Sequence, residues 1–322
     1  MIKITKYRDE EEDLRVLWLR VSKNIPYTEN MDRNAFRSAY LENAMAENVC
    51  FLAREGKRLV GAAAVHIYAG WGAVLQLWVP HDELGDEKSD LLLDRTIKLC
   101  KEEDIQKISP KPLLGSPAYI EFFKSRGFTV NEEYPEGLWM VANLAKVPNP
   151  EVPEGVIITF TDDLEKSGDI EGVARLDAEI AREQLDLEVD VGKNIRALRD
   201  EMLEENVVYG IAKVGADIVG YSRTIFADLL SGENIVKNRG LAVGEKFRNR
   251  GIGEAVLVAS MKMVKERGKD KMYISTHSKN PARLLYERVG FETIEHVPSL
   301  IFQIESGAEH GHRIPKSCNR RT

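Results

Sequence analysis

An internal repeat places the strongest constraint on what this chain can fold into. Residues 52–61 (LAREGKRLVG) and residues 211–220 (IAKVGADIVG) share one gap-free pattern of apolar residues around a central glycine. Each copy is typical of a strand, a tight turn and a second strand. A second repeat follows in the same order, since SPA at 116–118 leads to Gly127-Phe128 and NPA at 280–282 leads to Gly290-Phe291. One such pattern arises by chance, but two in one order predict two halves with the same fold.

Three prolines lie between the repeats, within residues 147–155 (VPNPEVPEG). Proline removes a backbone donor and favours extended chain, which is typical of a linker. The chain has 322 residues, 43% of them hydrophobic, so each half is able to bury its own core. We therefore predict a first domain at 1–146, a linker at 147–155, a second domain at 156–305 and a disordered tail at 306–322.

The second half reads as an α+β domain, a mixed and mainly antiparallel sheet flanked by helices. Apolar residues at helical spacing from Ile252 to Met263, followed by Gly268, predict one long helix. The expected strands are 156–161, 207–214, 217–226, 235–243 and 272–275, the expected helices are 168–182, 192–204 and 281–289, and a closing hairpin is expected near 293–305.

Composition disfavours several classes of function. The formal net charge is −7 with acidic and basic residues spread along the chain, so no basic face is predicted for nucleic acid. The three cysteines are far apart and lack the close spacing of zinc ligands, so no metal site is predicted. There is no signal-peptide pattern and no apolar run of about 18 residues, so we expect a cytoplasmic protein without a membrane partner. The oligomeric state is not predicted.

The segment RNRGIG at 248–253 is the clearest chemical signal in the chain. Two glycines stand where a strand is expected to turn into a helix, so backbone N–H groups are able to approach a ligand closely. The helix dipole and the charges of Arg248 and Arg250 favour a diphosphate. The alternative is a glycine-rich helix start with solvated arginines. Neither a Walker loop nor a dinucleotide-binding fingerprint fits these residues.

These residues resemble the GNAT superfamily of N-acyltransferases. Arg248, Gly251 and Gly253 match its motif Arg/Gln-x-x-Gly-x-Gly/Ala, and the preceding strand GLAV at 240–243 stands at the usual distance. A second motif is matched by Asn280, a helix that carries Tyr286, and Gly290-Phe291. The resemblance covers about 150–305 and implies acyl transfer from acyl-CoA, usually acetyl-CoA, to an amine.

Carried over by position, the resemblance assigns roles to individual residues. Backbone groups of Leu241, Ala242 and Val243 would contact the pantetheine arm, with the Val243 N–H as the suggested donor to the thioester carbonyl. Tyr286 would protonate the leaving thiolate, although an aromatic residue at helical spacing also serves as a core anchor. The pyrophosphate would be held by the backbone of Arg248, Asn249, Arg250, Gly251, Ile252 and Gly253, and the remaining cofactor contacts by Asn280 and Arg283.

The first half departs from the motif, and the general base is weakly defined. The equivalent loop, VPHDELGDEKSD at 79–90, has one glycine and five acidic residues, and Phe123 stands at the position of Tyr286. This half therefore resembles a degenerate copy that does not bind coenzyme A. In the second half, Lys237 stands where some family members carry a glutamate base. Glu183 and Glu233 are the base candidates, although each is also compatible with a solvated surface carboxylate.

Three functions remain open from the sequence. The first is an N-acetyltransferase that moves an acetyl group from acetyl-CoA to a small amine or amino-acid-like metabolite. The acidic composition favours this function, because an acidic chain suits a cationic acceptor. The second is an acetyltransferase that acts on protein lysines or N-termini. The third is a non-catalytic acyl-CoA sensor, which would not need Tyr286.

Overall fold

The computed structural model describes residues 1–8, 11–22, 33–41, 46–68, 72–111, 116–149, 151–185, 189–204, 206–229 and 231–304. The expected tail at 306–322 lies outside these residues. Everything stated below about the structure refers to this described part of the chain.

Each half of the chain contributes the same succession of elements. The first half contains β1 (Ile2–Lys6), α1 (Glu11–Ser22), α2 (Arg33–Tyr40), β2 (Glu47–Glu55), β3 (Arg58–Tyr68), β4 (Gly72–Trp78), α3 (Glu87–Glu102), β5 (Lys107–Pro110), α4 (Pro117–Ser125), β6 (Thr129–Val130) and β7 (Glu136–Asn143). The second half contains β8 (Val156–Thr161), α5 (Ile170–Leu185), α6 (Val191–Glu204), β9 (Val207–Val214), β10 (Asp217–Asp228), β11 (Asn234–Val243), α7 (Ile252–Glu266), β12 (Lys271–His277), α8 (Ala282–Arg288), β13 (Phe291–Pro298) and β14 (Leu300–Gln303).

The strands form two seven-stranded sheets of matching order. The first sheet runs β1-β2-β3-β4-β5-β14-β6 and the second runs β8-β9-β10-β11-β12-β7-β13. In each sheet one parallel pair, β4–β5 or β11–β12, interrupts an otherwise antiparallel arrangement. The predicted fold class is therefore confirmed. The repeated turns also coincide, since Gly56 and Gly215 both adopt φ of +60° in the β2–β3 and β9–β10 hairpins.

The two sheets exchange one strand each. Strand β7 from the first half lies between β12 and β13 of the second sheet, with Ala142 opposite both Met272 and Phe291. Strand β14 from the end of the chain lies between β5 and β6 of the first sheet, with Phe302 opposite Ile108. The domain boundaries proposed above stay a prediction, but each sheet draws one strand from the other side of the proline-rich segment.

The expected closing hairpin near 293–305 was wrong. Strand β13 ends at Pro298 and β14 begins at Leu300, so only Ser299 separates them. A hairpin reversal needs a loop of at least two residues, which one residue does not provide. The chain therefore continues into the other sheet, and β13 pairs with β7 while β14 pairs with β5 and β6.

Strand β9 is buried on both faces, and its sequence therefore lacks the alternation of polar and apolar residues that is typical of a half-exposed strand. Tyr209 and Ile211 are buried in the cluster under α5 and α6. Ala212 is buried on the opposite side, against Ile252 and Val256 of α7. Both faces of this strand are covered by helices, and burying each large apolar side chain contributes about 1.5–3 kcal/mol. The packing fixes the start of α7 against the centre of the second sheet.

Candidate active site

The loop from β11 into α7 has the geometry of an anion-binding site. A 3-10 turn (Glu245–Phe247) leads to Asn249 and Gly251, whose φ angles are +59° and +79°. The left-handed conformation at Gly251 admits other residues only with strain. The first helical hydrogen bond recorded at this end runs from the N–H of Ala255 to the Gly251 carbonyl, at 2.9 Å. The N–H groups before Ala255 have no intrahelical acceptor and emerge at the positive end of the helix dipole.

Hydrogen bonds within the protein fix the side chain of Arg248. Its Nη1 and Nη2 atoms donate to the two carboxylate oxygens of Glu183, and its Nε donates to the Val243 carbonyl at 2.9 Å. The hydrogen bonds from Arg248 lower the pKa of Glu183, and the same pair raises the pKa of Arg248. A carboxylate with a lowered pKa is a weak base, so these contacts speak against Glu183 as the general base. Exposed Arg250 instead stacks over Phe247, at 5.6 Å from the ring centre.

Strand β11 leaves β12 halfway along its length. The two strands pair only at Lys237–Tyr273 and Asn238–Ile274. At that point Arg239 forms a β-bulge, because Thr224 pairs with Asn238 while the adjacent Arg223 pairs with Gly240. Bulges bend a strand and often occur beside active sites. Beyond the bulge, the last residues of β11 keep β10 as a neighbour and present their other edge to the split.

The ladder register shows which backbone groups face the split. The Gly244 N–H donates to the Val219 carbonyl at 3.0 Å, so Val219 and Gly244 form a hydrogen-bonded pair. In an antiparallel ladder such pairs alternate with pairs whose N–H and C=O groups point outward. The outward-facing residues of β11 are therefore Val243 and Leu241, and Leu241 lies deeper in the split. Arg248 Nε already donates to the Val243 carbonyl, so the groups of these two residues that face the split are both N–H groups and the Leu241 carbonyl.

A cleft of about 400 Å³ opens at the base of this split. Two of the residues that line it, Asn238 and Thr276, carry buried side-chain oxygens without a hydrogen-bond partner among the described residues. The cleft is lined by Lys111, Gly137, Leu138, Trp139, Lys237, Asn238, Arg239, Ile274, Ser275, Thr276, Val297 and Ser299. Strand β7, exchanged from the first half, thus contributes to the wall of this cleft.

Helix α8 places the second motif beside the core. Asn280 lies just before this helix and its Oδ1 accepts the N–H of Ala282 at 2.9 Å, while its side-chain NH₂ group is a donor. Tyr286 is 6% exposed and its ring meets Phe291 edge-on at 6.1 Å. Burial raises the pKa of Tyr286 to about 12, so its hydroxyl is protonated at neutral pH. Arg283 forms an ion pair with Glu287 on the same helix, at 3.2 Å.

Glu233, the other predicted base, is exposed in the turn before β11. It lies near Tyr273, whose pKa is raised by burial first and by the Glu233 charge second. The bulge at Arg239 is six residues further along β11, about 20 Å away at the rise of a strand. The structure therefore does not bring Glu233 together with Tyr286 and the loop at 248–253.

Sequence reasoning missed a polar network beneath the bulge. Glu201 of α6 accepts hydrogen bonds from Tyr209, at 2.6 Å, and from Arg223, at 3.0 Å. Its second oxygen lies 3.8 Å from Arg239. Next to this group, the Tyr221 hydroxyl donates to Asp177, whose pKa is raised by burial, with partial compensation from that hydrogen bond. Arg223, a basic residue in the middle of strand β10, was the signal available in the sequence.

The first half keeps the shape of the loop with different chemistry. Gly85, like Gly251, precedes a helix with a positive φ, here +90°. Lys88 is buried and its ammonium lies 3.0 Å from both Glu83 and Asp86. Carboxylates of the protein thus surround the helix start where the second half has arginines. Phe123, at the position of Tyr286, is buried and has no hydroxyl.

Comparison with known proteins agrees with this geometry. Residues 205–293 match the model of the acetyltransferase (GNAT) domain. An N-alpha-acetyltransferase of Sulfurisphaera tokodaii is 31% identical over 105 residues, which is 30% of this chain. The match spans 63% of the length of that relative, less than two thirds.

Solved structures extend the likeness of fold to both halves. A tandem GNAT protein from the clavulanic acid biosynthesis pathway superposes with a TM-score of 0.69, at 15% identity, over 96% of this chain and 100% of that one. A GCN5-related N-acetyltransferase from Sphaerobacter thermophilus gives a TM-score of 0.63, at 15% identity, over 96% of this chain and 98% of that one. At such identities the likeness concerns the fold alone.

Two features are absent from the described residues. None of the helices there is both long enough and apolar enough to span a bilayer. No three His, Cys, Asp or Glu side chains in the same residues lie close enough together to hold a metal ion.

Proposed function

Because its second half carries a GNAT acetyltransferase domain and its two sheets have the architecture of a tandem GNAT protein, we propose that this protein is an N-acetyltransferase. In this proposal it moves an acetyl group from acetyl-CoA to the primary amine of a small molecule or an amino-acid-like metabolite. The observation that carries the proposal is the continuity of an open strand edge at Leu241 and Val243 with the helix start at Gly251. The location in the cytoplasm stays a prediction.

The residues present fit coenzyme A in three respects. The N–H groups at the start of α7 and the left-handed Gly251 suit a pyrophosphate. The outward N–H groups of Leu241 and Val243 suit the amides of the pantetheine arm, which would add to β11 as a further strand. The unsatisfied oxygens of Asn238 and Thr276 suit a polar group at the base of the split. When bound, acetyl-CoA supplies an activated acetyl thioester.

The proposed roles of the protein's own groups follow from these positions. The Leu241 or Val243 N–H stabilises negative charge on the thioester oxygen, and Leu241 is the deeper of the two. Tyr286 holds the proton that the leaving sulfur takes up. Asn280 orients the pantetheine arm, and Arg248 braces the loop through Glu183. The carboxylates nearest the bulge, Asp177 and Glu201, replace Glu183 and Glu233 as candidates for taking the proton of the amine.

A screen of amines and peptides with acetyl-CoA, followed as released thiol, tests the proposal. Turnover with small amines and a stoichiometric N-acetylated product would support it. Tight binding of coenzyme A without turnover on any acceptor would contradict it and would support the acyl-CoA sensor instead.

Acetylation of protein or peptide N-termini is the second candidate function. It is favoured by the match to the N-alpha-acetyltransferase of Sulfurisphaera tokodaii, which covers part of each protein. Competition between a peptide and a small amine in the same assay separates the two. A kcat/KM ratio at least tenfold in favour of peptides would select this candidate.

A further inference from the structure

The last residue of β12, His277, carries a buried ring nitrogen that no described group satisfies. Its Nδ1 atom has no hydrogen-bond partner among the described residues. Buried polar atoms are nearly always hydrogen-bonded, so an unpaired one points to a ligand, a bound water or a catalytic role. The backbone at this position is fixed, because His277 pairs with Gly137 of β7 and its carbonyl accepts the N–H of Asn280 at 3.0 Å. The unpaired nitrogen is therefore held on a rigid part of the second sheet.

His277 stands at the β11–β12 split, across from the strand edge that we assign to the cofactor. The last paired residues of the two strands are Asn238 and Ile274, and Leu241 and His277 each come three residues later. At the rise of a strand, each lies about 10 Å beyond the base of the split. His277 is thus at about the same height as the Leu241 N–H, one of the two groups proposed to stabilise the thioester oxygen.

Side-chain alternation places His277 and Tyr286 on opposite faces of the second sheet. Ile274 packs with Tyr286 in one core cluster, whereas Tyr273 packs against the cluster under α5 and α6. Successive side chains of a strand point to opposite faces, so His277 shares the face of Tyr273. A proton is therefore able to leave an amine on one face while Tyr286 gives a proton to the sulfur on the other.

The surroundings of His277 favour a neutral imidazole with a counter-charge nearby. Burial lowers the pKa of His277 below its ordinary value of 6.5, and the charge of Glu133 offsets part of this shift. Tyr134 is hydrogen-bonded to Glu133, and its ring meets the His277 ring edge-on with the centres 4.5 Å apart. The side chain is partly exposed while Nδ1 is buried, so Nε2, on the other edge of the ring, is the nitrogen that an amine is able to reach. A neutral imidazole accepts a proton, and Glu133 stabilises the imidazolium that results.

The other charged side chains of the adjoining segments make contacts of their own. The Lys279 ammonium donates to the Glu132 carbonyl at 2.6 Å. Glu136, at the start of β7, lies 3.4 Å from the ring of His296 on β13.

The carboxylates beneath the bulge are engaged by buried donors. Glu201 accepts hydrogen bonds from Tyr209 and Arg223, and Asp177 accepts one from Tyr221. Protonation of either carboxylate would weaken contacts that the buried network needs. Nε2 of His277 takes up a proton without breaking such a contact.

We propose that His277 is the general base of the acetyl transfer and that its Nε2 atom takes the proton of the acceptor amine. As the C–N bond forms and the C–S bond breaks, one amine proton passes to His277 and the sulfur takes up the proton of Tyr286. Proton exchange with water then restores both side chains. The inference rests on the proposed acetyl transfer. It also gives the first half a function, since Glu133 and Tyr134 immediately precede the exchanged strand β7.

Kinetics over a pH series test the base in the full-length protein. In the parent protein, kcat/KM should fall at low pH as His277 becomes protonated, with an apparent pKa below 6.5. His277→Gln should lower kcat by roughly a hundredfold or more and remove this acid limb. Ionisation of the acceptor gives a limb that moves with the acceptor, so glycinamide and the more basic β-alaninamide are compared. His296→Gln, which removes an exposed histidine, is the matched control and should leave kcat within about twofold.

NMR titration of the histidine rings gives a second readout that needs no acetyl-CoA. The His277 signal is identified by its loss in His277→Gln, and it should titrate below pH 6.5. Glu133→Gln removes the charge that favours the imidazolium, so it should move both this titration and the acid limb of kcat/KM to lower pH.

The outcomes separate the inference from the proposed function. An active parent protein whose His277→Gln variant keeps kcat within about threefold, with the same acid limb, would overturn the inference and leave the proposed function in place. Thermal melts verify folding, and if His277→Gln is unfolded, an acid limb that does not move in Glu133→Gln would overturn the inference instead. A parent protein that releases no thiol with any amine would contradict the proposed function, and the role of His277 with it.

Discussion

Arg248 binds both carboxylate oxygens of Glu183 while its Nε donates to the Val243 carbonyl at 2.9 Å. One guanidinium therefore joins helix α5 to the end of strand β11, directly before the loop that we assign to the pyrophosphate. This contact changes the role that we assign to each of the two residues. Glu183 becomes a brace whose lowered pKa suits an ion pair, and Arg248 acts on the loop through its position as well as its charge.

Glu183→Gln should leave catalysis nearly unchanged. We expect kcat within about twofold of the parent protein, because the residue takes no proton in the proposed mechanism. Affinity for coenzyme A should rise severalfold, since the substitution removes a negative charge beside the loop while the amide oxygen still accepts a hydrogen bond from Arg248. Glu171→Gln, which removes an exposed carboxylate elsewhere on α5, is the control. If the turnover rate instead fell by roughly a hundredfold or more, Glu183 would be restored as the general base.

Gly251→Val should weaken cofactor binding. The position has a φ of +79°, and among the described residues an added Cβ would meet only Pro153, at 3.7 Å, so backbone strain rather than a clash resists the change. The left-handed conformation costs about 1–2 kcal/mol for a residue with a Cβ. We expect one coenzyme A per chain in the parent protein and at least tenfold weaker binding in the variant, both measured by calorimetry.

Gly215→Val is the matched control for that strain. Gly215 has a φ of +60° in the β9–β10 turn, and an added Cβ there has no neighbour within 4 Å in the described part of the chain. Both variants should therefore lose similar stability in thermal melts, but only Gly251→Val should lose affinity for the cofactor. Equal loss of affinity in both would show that the loop has no special role.

The comparison of sequence and structure separates local from long-range features. The helix start at Gly251 was predictable because its glycines and the preceding strand are neighbours in the chain. The contact between Glu201 and Arg223 was not predictable, since no local sequence pattern indicates which helix covers a charged strand residue. The exchange of β7 and β14 was also missed, because their apolar patterns fit either sheet and only the single residue at Ser299 argues against a hairpin.

Asp177→Asn should raise the melting temperature at pH 7. Burial raises the pKa of Asp177 in the folded protein above its ordinary value of 3.8. The folded state therefore binds this proton more readily than the unfolded state, and ionisation lowers the free energy of unfolding as pH rises from 3.8 through the folded pKa. Asparagine accepts the Tyr221 hydrogen bond without a charge to desolvate.

The gain in melting temperature should shrink as the pH falls towards and below 3.8. Thermal melts over a pH series would measure this change. Asp217→Asn, at the exposed start of β10, controls for the change in net charge. A lower melting temperature for Asp177→Asn at pH 7 would contradict the prediction. If Asp177 also takes the amine proton, the same variant should turn over roughly a hundredfold more slowly despite its higher stability.

The exchanged strands predict how the protein responds to division. A fragment of residues 151–322 lacks β7, so β12 keeps only its pairing with β11, β13 loses its pairing with β7, and both expose strand edges. We expect it to self-associate in size-exclusion chromatography and to unfold without a sharp transition in urea. A fragment of residues 131–322 retains β7 and is the matched comparison, expected to unfold cooperatively. A monomeric, equally stable 151–322 fragment would contradict the exchange.

Tyr286 tests whether the second motif serves catalysis or packing, and both readings have support in the structure. The ring is buried with Phe291 in a cluster that includes Leu138 and Met140 of the exchanged strand β7. The hydroxyl has a pKa raised to about 12, so it carries a proton to donate at neutral pH. Tyr286→Phe removes the hydroxyl and keeps the ring, so it separates the catalytic role from the packing role.

If the hydroxyl protonates the leaving thiolate, Tyr286→Phe should lower kcat by roughly a hundredfold or more, with little change in cofactor affinity or melting temperature. Tyr286→Ala should in addition destabilise the protein by about 3–5 kcal/mol, because it leaves a cavity in the core. Steady-state kinetics and melts on both variants decide the matter. An unchanged kcat in Tyr286→Phe, together with a strongly destabilised Tyr286→Ala, would mean that the ring is a core anchor and that another group supplies the proton.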